Sequence, residues 1–106
     1  MFCELSWFNY YNKNDYQEAH DHEGNEISAI YFLSTPKDCG HLRFISPEPK
    51  GIKHVYVKNN PLTWREFKVA PKEGLLVIFK SNLMHGVQQN KSNKPRISLA
   101  YNFRIK

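Results

Sequence analysis

The sequence has few cysteines and no long apolar run, and both shortages limit what the chain can be. Only two of its 106 residues are cysteine, Cys3 and Cys39, and their spacing matches no metal-binding or redox motif. One disulfide is the most they can form, and no apolar leader directs the chain to an oxidising compartment. No stretch reaches the roughly 20 apolar residues that span a bilayer as a helix. We therefore expect a soluble, reduced, cytoplasmic protein.

Runs of like charge are also missing. Fifteen Lys and Arg against ten Asp and Glu give a net charge of +5, which favours an anionic partner such as a nucleic acid, an acidic protein or a small carboxylate. The basic residues are nevertheless spread along the chain, with no run of five or six, as on a solvated surface. A nucleic-acid partner is thus only weakly supported.

No window has sustained helical periodicity, and there is no internal repeat, low-complexity tract or linker. Turn-forming residues instead divide the chain into short extended runs that are typical of strands. The predicted strands are 2–11, 16–22, 26–34, 41–46, 52–58, 64–70, 75–80 and 96–105, with a strand edge after the loop SNLMHGV. A chain of this length forms one domain, residues 1–106. About eight strands in that domain predict an all-β, two-sheet jelly roll of the cupin type.

The tripeptide HDH contains the first candidate site. Residues two apart on an extended strand point to the same side, so His20 and His22 can converge on one ion. His85, which follows the apolar run LLVIFK, offers a third ligand from a distant part of the chain. Two close ligands and one remote ligand make a metal site with open positions, which catalysis needs. For His41 and His54, which have no ligand-like neighbour, an ordinary polar position is the preferred interpretation.

A second candidate site is the pair Arg96 and Ser98 in PRISLAYNF. Both residues lie on one face of the predicted last strand, so they can bind one anion together. Arginine binds a carboxylate through two parallel hydrogen bonds, and the serine hydroxyl adds a third donor. An R-x-S pattern by itself is most often a surface feature, but beside a metal site it becomes a candidate for holding a co-substrate.

Five segments of the chain, taken in order, resemble the Fe(II)- and 2-oxoglutarate-dependent dioxygenases. They are SWFNYY, YQEAHDHEGNEISAIYFL, GHLRF, PKEGLLVIFKSNLMHGV and PRISLAYNF. The resemblance is greatest to the prolyl-hydroxylase-like members and their short phage and marine-bacterial relatives, and it covers nearly the whole chain. Its motifs are the H-x-[D/E/H] pair, the distal histidine and the following R-x-S. Each motif is weak alone, but their order and spacing together are fairly specific.

The resemblance implies a double-stranded β-helix with iron held inside one open end of the barrel. His20 and His85 match the two histidine ligands of the family, and Arg96 with Ser98 matches the pair that binds the far carboxylate of 2-oxoglutarate. Three further residues are candidates for the co-substrate pocket. Tyr31, on the strand after HDH, is expected to add a hydroxyl to that carboxylate, and Asn9 and Asn102 lie on strands that line the pocket in such folds.

The third metal ligand departs from the family pattern. Most members have His-x-Asp, whereas His22 occupies the matching position here. Either three histidines bind the metal, or a bulge at the strand end turns Asp21 inward and restores the usual carboxylate. We favour three histidines. Three neutral imidazoles would leave an Fe(II) site one charge unit more positive than a carboxylate triad, which favours a dianionic co-substrate.

The implied activity is hydroxylation of a substrate with Fe(II), O₂ and 2-oxoglutarate, releasing succinate and CO₂. Two alternatives stand beside it. A cupin-type protein that binds Zn, Mn or Ni without 2-oxoglutarate would be indifferent to Arg96→Ala. A non-enzymatic basic module that recognises RNA, DNA or a protein would be indifferent to chelators and to all three His→Ala changes.

The length of the chain leads to a last expectation. The relatives that it resembles are mostly longer, with helices ahead of the barrel that brace the larger sheet. Because this chain begins almost at SWFNYY, we expect either a minimal phage-type protein, acting in the host cytoplasm, or a truncated one. The aromatic residues at 2–11 would then favour a homodimer.

Overall fold

A computed structural model of the chain describes residues 2–22, 24, 26–45 and 66–104, and every regular element within these ranges is a β-strand. The strands are β1 (Phe2–Tyr11), β2 (Gln17–His20), β3 (Ile27–Ser34), β4 (Leu42–Ile45), β5 (Glu66–Val69), β6 (Leu76–Lys80), β7 (His85–Val87) and β8 (Arg96–Arg104). The predicted strand 52–58, with His54, lies outside the described residues. Among the described residues, no helix is long and apolar enough to cross a membrane.

The eight strands form two four-stranded sheets, and every pairing is antiparallel. The major sheet has the order β1-β8-β3-β6, and the minor sheet has the order β2-β7-β4-β5. Most neighbours in these sheets are far apart in sequence, so the long connections of a jelly roll are needed to bring them together. The predicted all-β, two-sheet architecture of about eight strands is confirmed.

The apolar core lies between the two sheets. Phe32 from the major sheet meets Leu42 and Phe44 from the minor sheet, and all three side chains are buried. Partly buried apolar residues pack around them: Ile30, Val69, Leu75, Val77, Phe79, Leu83 and Val87. Area removed from water at these positions contributes roughly 25 cal/mol per Å², so burial of this cluster stabilises the packing of the two sheets.

Strand β8 places polar residues where an ordinary core strand would place apolar ones. Its inward positions are Arg96, Ser98, Ala100 and Asn102, and each of them is at most 6% exposed. Burying a charge and two polar side chains costs free energy unless they find partners. The interior therefore has an apolar part and a polar part, and the polar part is where a site is expected.

The outer face of the major sheet is also apolar. Phe8, Tyr10, Leu76 and Ile78 are between 49% and 64% exposed there. They alternate along their strands with residues that face the interior, so the major sheet carries apolar side chains on both faces. Phe8 and Tyr10 belong to the aromatic segment from which we predicted a homodimer.

Candidate metal and co-substrate site

Three imidazoles meet at one end of the minor sheet. His20 ends β2 and His85 begins β7, and the two residues are directly paired across these strands. Their ring centroids are 4.3 Å apart, and the His22 ring lies 4.9 Å from His20 and 5.1 Å from His85. One ring nitrogen from each residue lies within 4.8 Å of the others. The structure thus brings together the three histidines that the sequence singled out.

Backbone hydrogen bonds fix the tautomers of two of these rings. The Nδ1 atom of His85 lies 2.8 Å from the Leu83 carbonyl oxygen, and the Nδ1 atom of His20 lies 2.9 Å from the Glu18 carbonyl oxygen. A carbonyl oxygen only accepts, so each Nδ1 must carry the proton and donate it. This leaves Nε2 of both rings with a free lone pair, which is the usual arrangement of a metal-ligating histidine.

His22 reaches the same point by a route that the sequence did not predict. We expected one strand over 16–22 to place His20 and His22 on one face, but β2 ends at His20. Beyond the strand, the His22 backbone N–H donates to the Ser81 carbonyl oxygen at 2.8 Å. The Trp7 ring packs edge to face against the His22 ring, with the two ring centroids 6.2 Å apart. The hydrogen bond to Ser81 and the contact with Trp7 therefore place the His22 ring beside the other two imidazoles, although His22 lies outside the strand.

The surroundings keep two of these imidazoles neutral. Burial is the main cause that lowers the pKa of His85 to about 4. The Phe79 ring forms part of the apolar surroundings, with its centroid 4.7 Å from that of the His85 ring. Burial also lowers the pKa of His22, and the neighbouring His20 acts in the same direction. A neutral imidazole is the form that binds a metal ion, so the site does not need to release a proton from these residues near pH 7.

Asp21, the alternative third ligand, is exposed and does not belong to the group of converging ligand atoms. The irregularity in the pairing of β2 lies between Gln17 and His20, ahead of Asp21 rather than at it. A bulge that turns Asp21 inward is therefore not present. Its carboxylate acts on His22 and His85 only electrostatically, where it opposes the lowering of their pKa values.

Arg96 begins β8 in the major sheet, and its side chain lies in the interior. It is 1% exposed, and its guanidinium carbon lies 4.3 Å from the centroid of the Tyr11 ring. Nη1 donates to the carbonyl oxygens of Cys39 and Gly40 at 2.9 Å and 3.3 Å. Nη2 has no partner, and among the described residues it is the only such buried side-chain nitrogen or oxygen. Burial lowers the pKa of Arg96, but a guanidinium stays charged in a protein.

The turn that supplies these two carbonyl groups requires glycine. Gly40 has a φ of +89°, and a Cβ atom there would lie 2.6 Å from the Gln88 carbonyl oxygen. Only glycine combines that backbone conformation with so close an approach. The turn therefore brings its carbonyl groups to one side of the guanidinium and leaves the other side for a different acceptor.

Two more of the predicted pocket residues share the cavity with the imidazoles and Arg96. Asn9 is directly paired with Ser98 across β1 and β8, and both residues line the cavity, as does Asn102. The Trp7 indole N–H donates to Asn9 Oδ1 at 3.0 Å. Because the oxygen of this carboxamide is already engaged, its NH₂ group is what Asn9 has left to offer a ligand.

Tyr31 lies elsewhere. Its neighbours Ile30 and Phe32 pack in the core, so alternation along β3 turns Tyr31 to the outer face of the major sheet, beside Leu76 and Leu99. The expectation that its hydroxyl reaches a carboxylate in the cavity is corrected by this position. His41, expected to be an ordinary polar residue, is exposed and hydrogen-bonded to Gln88.

Among the cavity-lining side chains that sequence reasoning missed are Trp7, Tyr11 and Gln17. Tyr11 lies under the guanidinium of Arg96 and donates its hydroxyl proton to Gln17 Oε1 at 2.8 Å. The period of two in WFNYY contained the signal, since Trp7 and Tyr11 share a face with Asn9. That signal was hidden because the intervening residues are aromatic as well.

Comparison with known proteins agrees with this geometry. The family model described as "Putative 2OG-Fe(II) oxygenase" matches residues 5–102. No curated protein matches the chain. Nothing in the comparisons points to a phage origin, which we had expected from the resemblance.

Two solved structures are similar in fold. A 2OG-Fe(II) oxygenase family oxidoreductase from Burkholderia pseudomallei has a TM-score of 0.72 at 18% identity, over 95% of this chain and 43% of its own. A prolyl-4-hydroxylase from Pseudomonas putida has a TM-score of 0.69 at 24% identity, over 95% of this chain and 51% of its own. The likeness confirms the predicted double-stranded β-helix, and this chain spans about half the length of either protein.

Proposed function

The chain belongs to the 2OG-Fe(II) oxygenase family, and from that membership we propose that it is a dioxygenase that hydroxylates a substrate with Fe(II), O₂ and 2-oxoglutarate. In such a reaction one oxygen atom enters the new hydroxyl group. The other enters succinate as 2-oxoglutarate loses CO₂, so the co-substrate supplies two electrons and the C–H bond supplies the other two. Bound Fe(II) would activate O₂, which amino-acid side chains alone cannot do.

The three imidazoles are the residues that would hold the iron. Imidazole suits Fe(II) among other divalent metals, and three ligands on one side leave positions for the co-substrate and O₂. The fixed Nδ1–H groups of His20 and His85 leave Nε2 available without any rearrangement. His22 takes the position that a carboxylate fills in most of the family, and Asp21 is exposed outside the group. We therefore assign the iron to three histidines.

The observation that carries the co-substrate assignment is the unpartnered Nη2 atom of Arg96. A buried donor without a partner costs about 1–3 kcal/mol, and more when it is charged. The guanidinium shares its cavity with the three imidazoles, and among the described residues no carboxylate is hydrogen-bonded to it. A carboxylate at the far end of 2-oxoglutarate would satisfy Nη2 and neutralise the charge, with Ser98 as a second donor.

The remaining cavity residues fit the same ligand. Asn9 stands opposite Ser98 in the strand pairing, so a carboxylate held by Arg96 and Ser98 would be within reach of its NH₂ group. Asn102 lies two strand steps further along the inward face of β8, towards the imidazoles. We propose that Asn9 and Asn102 line the bound co-substrate, and that Tyr31 takes no part.

The test is to add Fe(II) and then 2-oxoglutarate to the protein without oxygen, and to look for the visible charge-transfer band of the iron-chelated keto acid. We expect the band in the wild type and a much weaker one in Arg96→Ala at the same co-substrate concentration. Arg104→Ala is the matched control, because Arg104 is an exposed arginine at the other end of the same strand. It should leave the band unchanged.

Three other outcomes would change the assignment. Metal binding without a band would indicate a cupin-type metal protein that does not use 2-oxoglutarate. A protein that binds neither, and whose ligand is indifferent to chelators, would be a binding module. Equal bands in the wild type and Arg96→Ala would contradict the role given to Arg96.

A further inference from the structure

A chain of buried hydroxyl and amide groups runs behind the imidazoles, and we infer that its members Ser81 and Ser28 are positioning residues for the metal site. They would act by holding the connection between β6 and β7, residues 81–84, which supports two of the three imidazoles. This inference rests on the metal site proposed above. It adds residues that none of the site motifs contains.

Ser81 is the centre of this arrangement. It is completely buried, and all three of its polar groups are engaged. Its backbone N–H donates to the Glu26 carbonyl oxygen at 3.1 Å, and its carbonyl oxygen accepts the His22 N–H at 2.8 Å. Its hydroxyl lies 2.8 Å from the Ser28 hydroxyl. The residue that anchors the backbone of His22 is therefore itself tied into the interior by its side chain.

Ser28 extends the chain across the major sheet. Its hydroxyl donates to Asn102 Oδ1 at 2.7 Å, and the two residues are directly paired across β3 and β8. Because the single proton of Ser28 is used in that bond, the Ser81 hydroxyl must be the donor in the Ser81–Ser28 bond. The donor order is Ser81, Ser28, Asn102, and no member is more than 3% exposed. The end of β6 is thus linked through β3 to β8.

The connection held by these hydroxyl groups, residues 81–84, contacts His22 and His85. Its first residue, Ser81, binds the backbone of His22, and its third, Leu83, accepts the Nδ1–H of His85 at 2.8 Å. His20 takes its own hydrogen bond from a different place, the Glu18 carbonyl. A displacement of residues 81–84 would therefore move His22 and His85 relative to His20, which would change the geometry offered to a metal.

Removing one hydroxyl should have that effect. In Ser81→Ala the Ser28 oxygen loses its donor, and in Ser28→Ala the Ser81 hydroxyl and Asn102 Oδ1 both lose a partner. A buried polar group left without a partner moves or admits water to recover one. Either response loosens the 81–84 connection while the ligand residues themselves are unchanged.

The experiment measures Co²⁺ binding to the wild type, Ser81→Ala and Ser28→Ala, with the visible absorption of bound Co²⁺ as a report on its coordination geometry. We expect each variant to bind Co²⁺ at least about tenfold more weakly, as is usual when support around a metal ligand is lost, with an altered spectrum. Ser92→Ala is the control, since its hydroxyl accepts a hydrogen bond from Lys94 N–H in the turn before β8. It should match the wild type.

The double variant Ser28→Ala/Ser81→Ala keeps the inference testable if a single variant folds poorly. Because both partners are removed together, its loss of Co²⁺ affinity should be smaller than the product of the two single losses. The melting temperature of each metal-free variant is measured beside it. Variants that melt earlier yet bind Co²⁺ with wild-type affinity and spectrum would overturn the inference. A wild type that binds no Co²⁺ would instead contradict the proposed metal site.

Discussion

The guanidinium of Arg96 lies 4.3 Å from the ring centroid of Tyr11, and the two residues are directly paired across β1 and β8. The ring covers one side of the guanidinium, and the carbonyl groups of Cys39 and Gly40 accept from Nη1. Together they restrict where the free Nη2 can point. The position of the proposed carboxylate would thus be set by an aromatic residue that belongs to none of the three sequence motifs.

Replacing the Tyr11 ring should weaken the binding of 2-oxoglutarate. Tyr11→Leu removes a cation–π contact in a desolvated place, worth about 2 kcal/mol, so we expect the Kd of 2-oxoglutarate to rise more than about tenfold. Tyr11→Phe keeps the ring and loses only the hydroxyl bond to Gln17, and should stay within about threefold of the wild type. Titration of the charge-transfer band measures both. Equal losses in the two variants would show that the hydroxyl, not the ring, is what matters.

Metal affinity should follow the three imidazoles and ignore Asp21. We expect His20→Ala, His22→Ala and His85→Ala each to weaken Fe(II) or Co²⁺ binding by more than about a hundredfold, the upper range for losing a supporting residue alone. Asp21→Asn should change the affinity by less than about threefold, because this exposed carboxylate is not among the converging ligand atoms. Isothermal titration after chelator treatment measures all four. A large loss in Asp21→Asn with none in His22→Ala would restore the carboxylate assignment.

The sequence predicted the fold well because its turns are well marked. Predicted strands at 2–11, 26–34 and 75–80 agree with β1, β3 and β6 to within one residue at either end. The weakest part was the stretch 16–22, where the strand stops at His20 and the last ligand comes from a loop. The prediction that His20 and His22 lie together was correct, but strand alternation is not what brings them together. The position of His22 depends instead on Ser81, about sixty residues away.

The site was predictable only as far as spacing determines it. Arg96 and Ser98, two residues apart on a strand, had to share a face. Tyr31 was misplaced because apolar residues occupy both faces of β3, and a period of two does not say which face is inward when both are apolar. The Arg96–Tyr11 contact and the Ser81–Ser28 bond depend on strand pairing between distant segments, and no local pattern contains that information.

The ion pair between Arg43 and Glu66 should give the protein a small acid-sensitive stabilisation. Arg43 on β4 donates to both carboxylate oxygens of Glu66 on β5, from Nε at 2.6 Å and from Nη2 at 3.2 Å. The hydrogen bonds from Arg43 are the main cause that lowers the pKa of Glu66 below its ordinary value of 4.5. A folded-state pKa below the unfolded one means that the stabilisation is present above about pH 4.5 and is lost as the pH falls through the folded value.

Glu66→Gln should therefore lower the free energy of unfolding by about 0.5–1 kcal/mol at pH 7, the range for a partly exposed pair. The difference from the wild type should shrink as the pH falls below 4.5 and disappear once the carboxylate is protonated in the folded state as well. Urea unfolding at several pH values measures it. Glu4→Gln, which loses a single longer contact of 3.6 Å to Arg104, should cost less at pH 7. A difference that does not change at all as the pH is lowered would mean that packing, not charge, is lost.

A methyl group at Gly40 should damage both the fold and the co-substrate site. Gly40 and Gly74 have similar positive φ values, +89° and +82°, but a Cβ atom at Gly40 would lie 2.6 Å from a backbone oxygen, whereas at Gly74 nothing lies within 4 Å. Gly74→Ala should therefore cost only the backbone strain, about 1–2 kcal/mol. Gly40→Ala should cost a further 1–3 kcal/mol or so from overpacking.

The two glycine variants also separate stability from binding. Gly40→Ala must push the 39–40 turn away from Gln88, and the carbonyl groups that accept from Arg96 Nη1 would move with it. The folded protein should then bind 2-oxoglutarate more weakly, whereas Gly74→Ala should bind it normally despite a lower melting temperature. Urea unfolding and titration of the charge-transfer band measure the two effects on the same samples. Wild-type co-substrate affinity in Gly40→Ala would mean that the turn supports the fold without orienting the guanidinium.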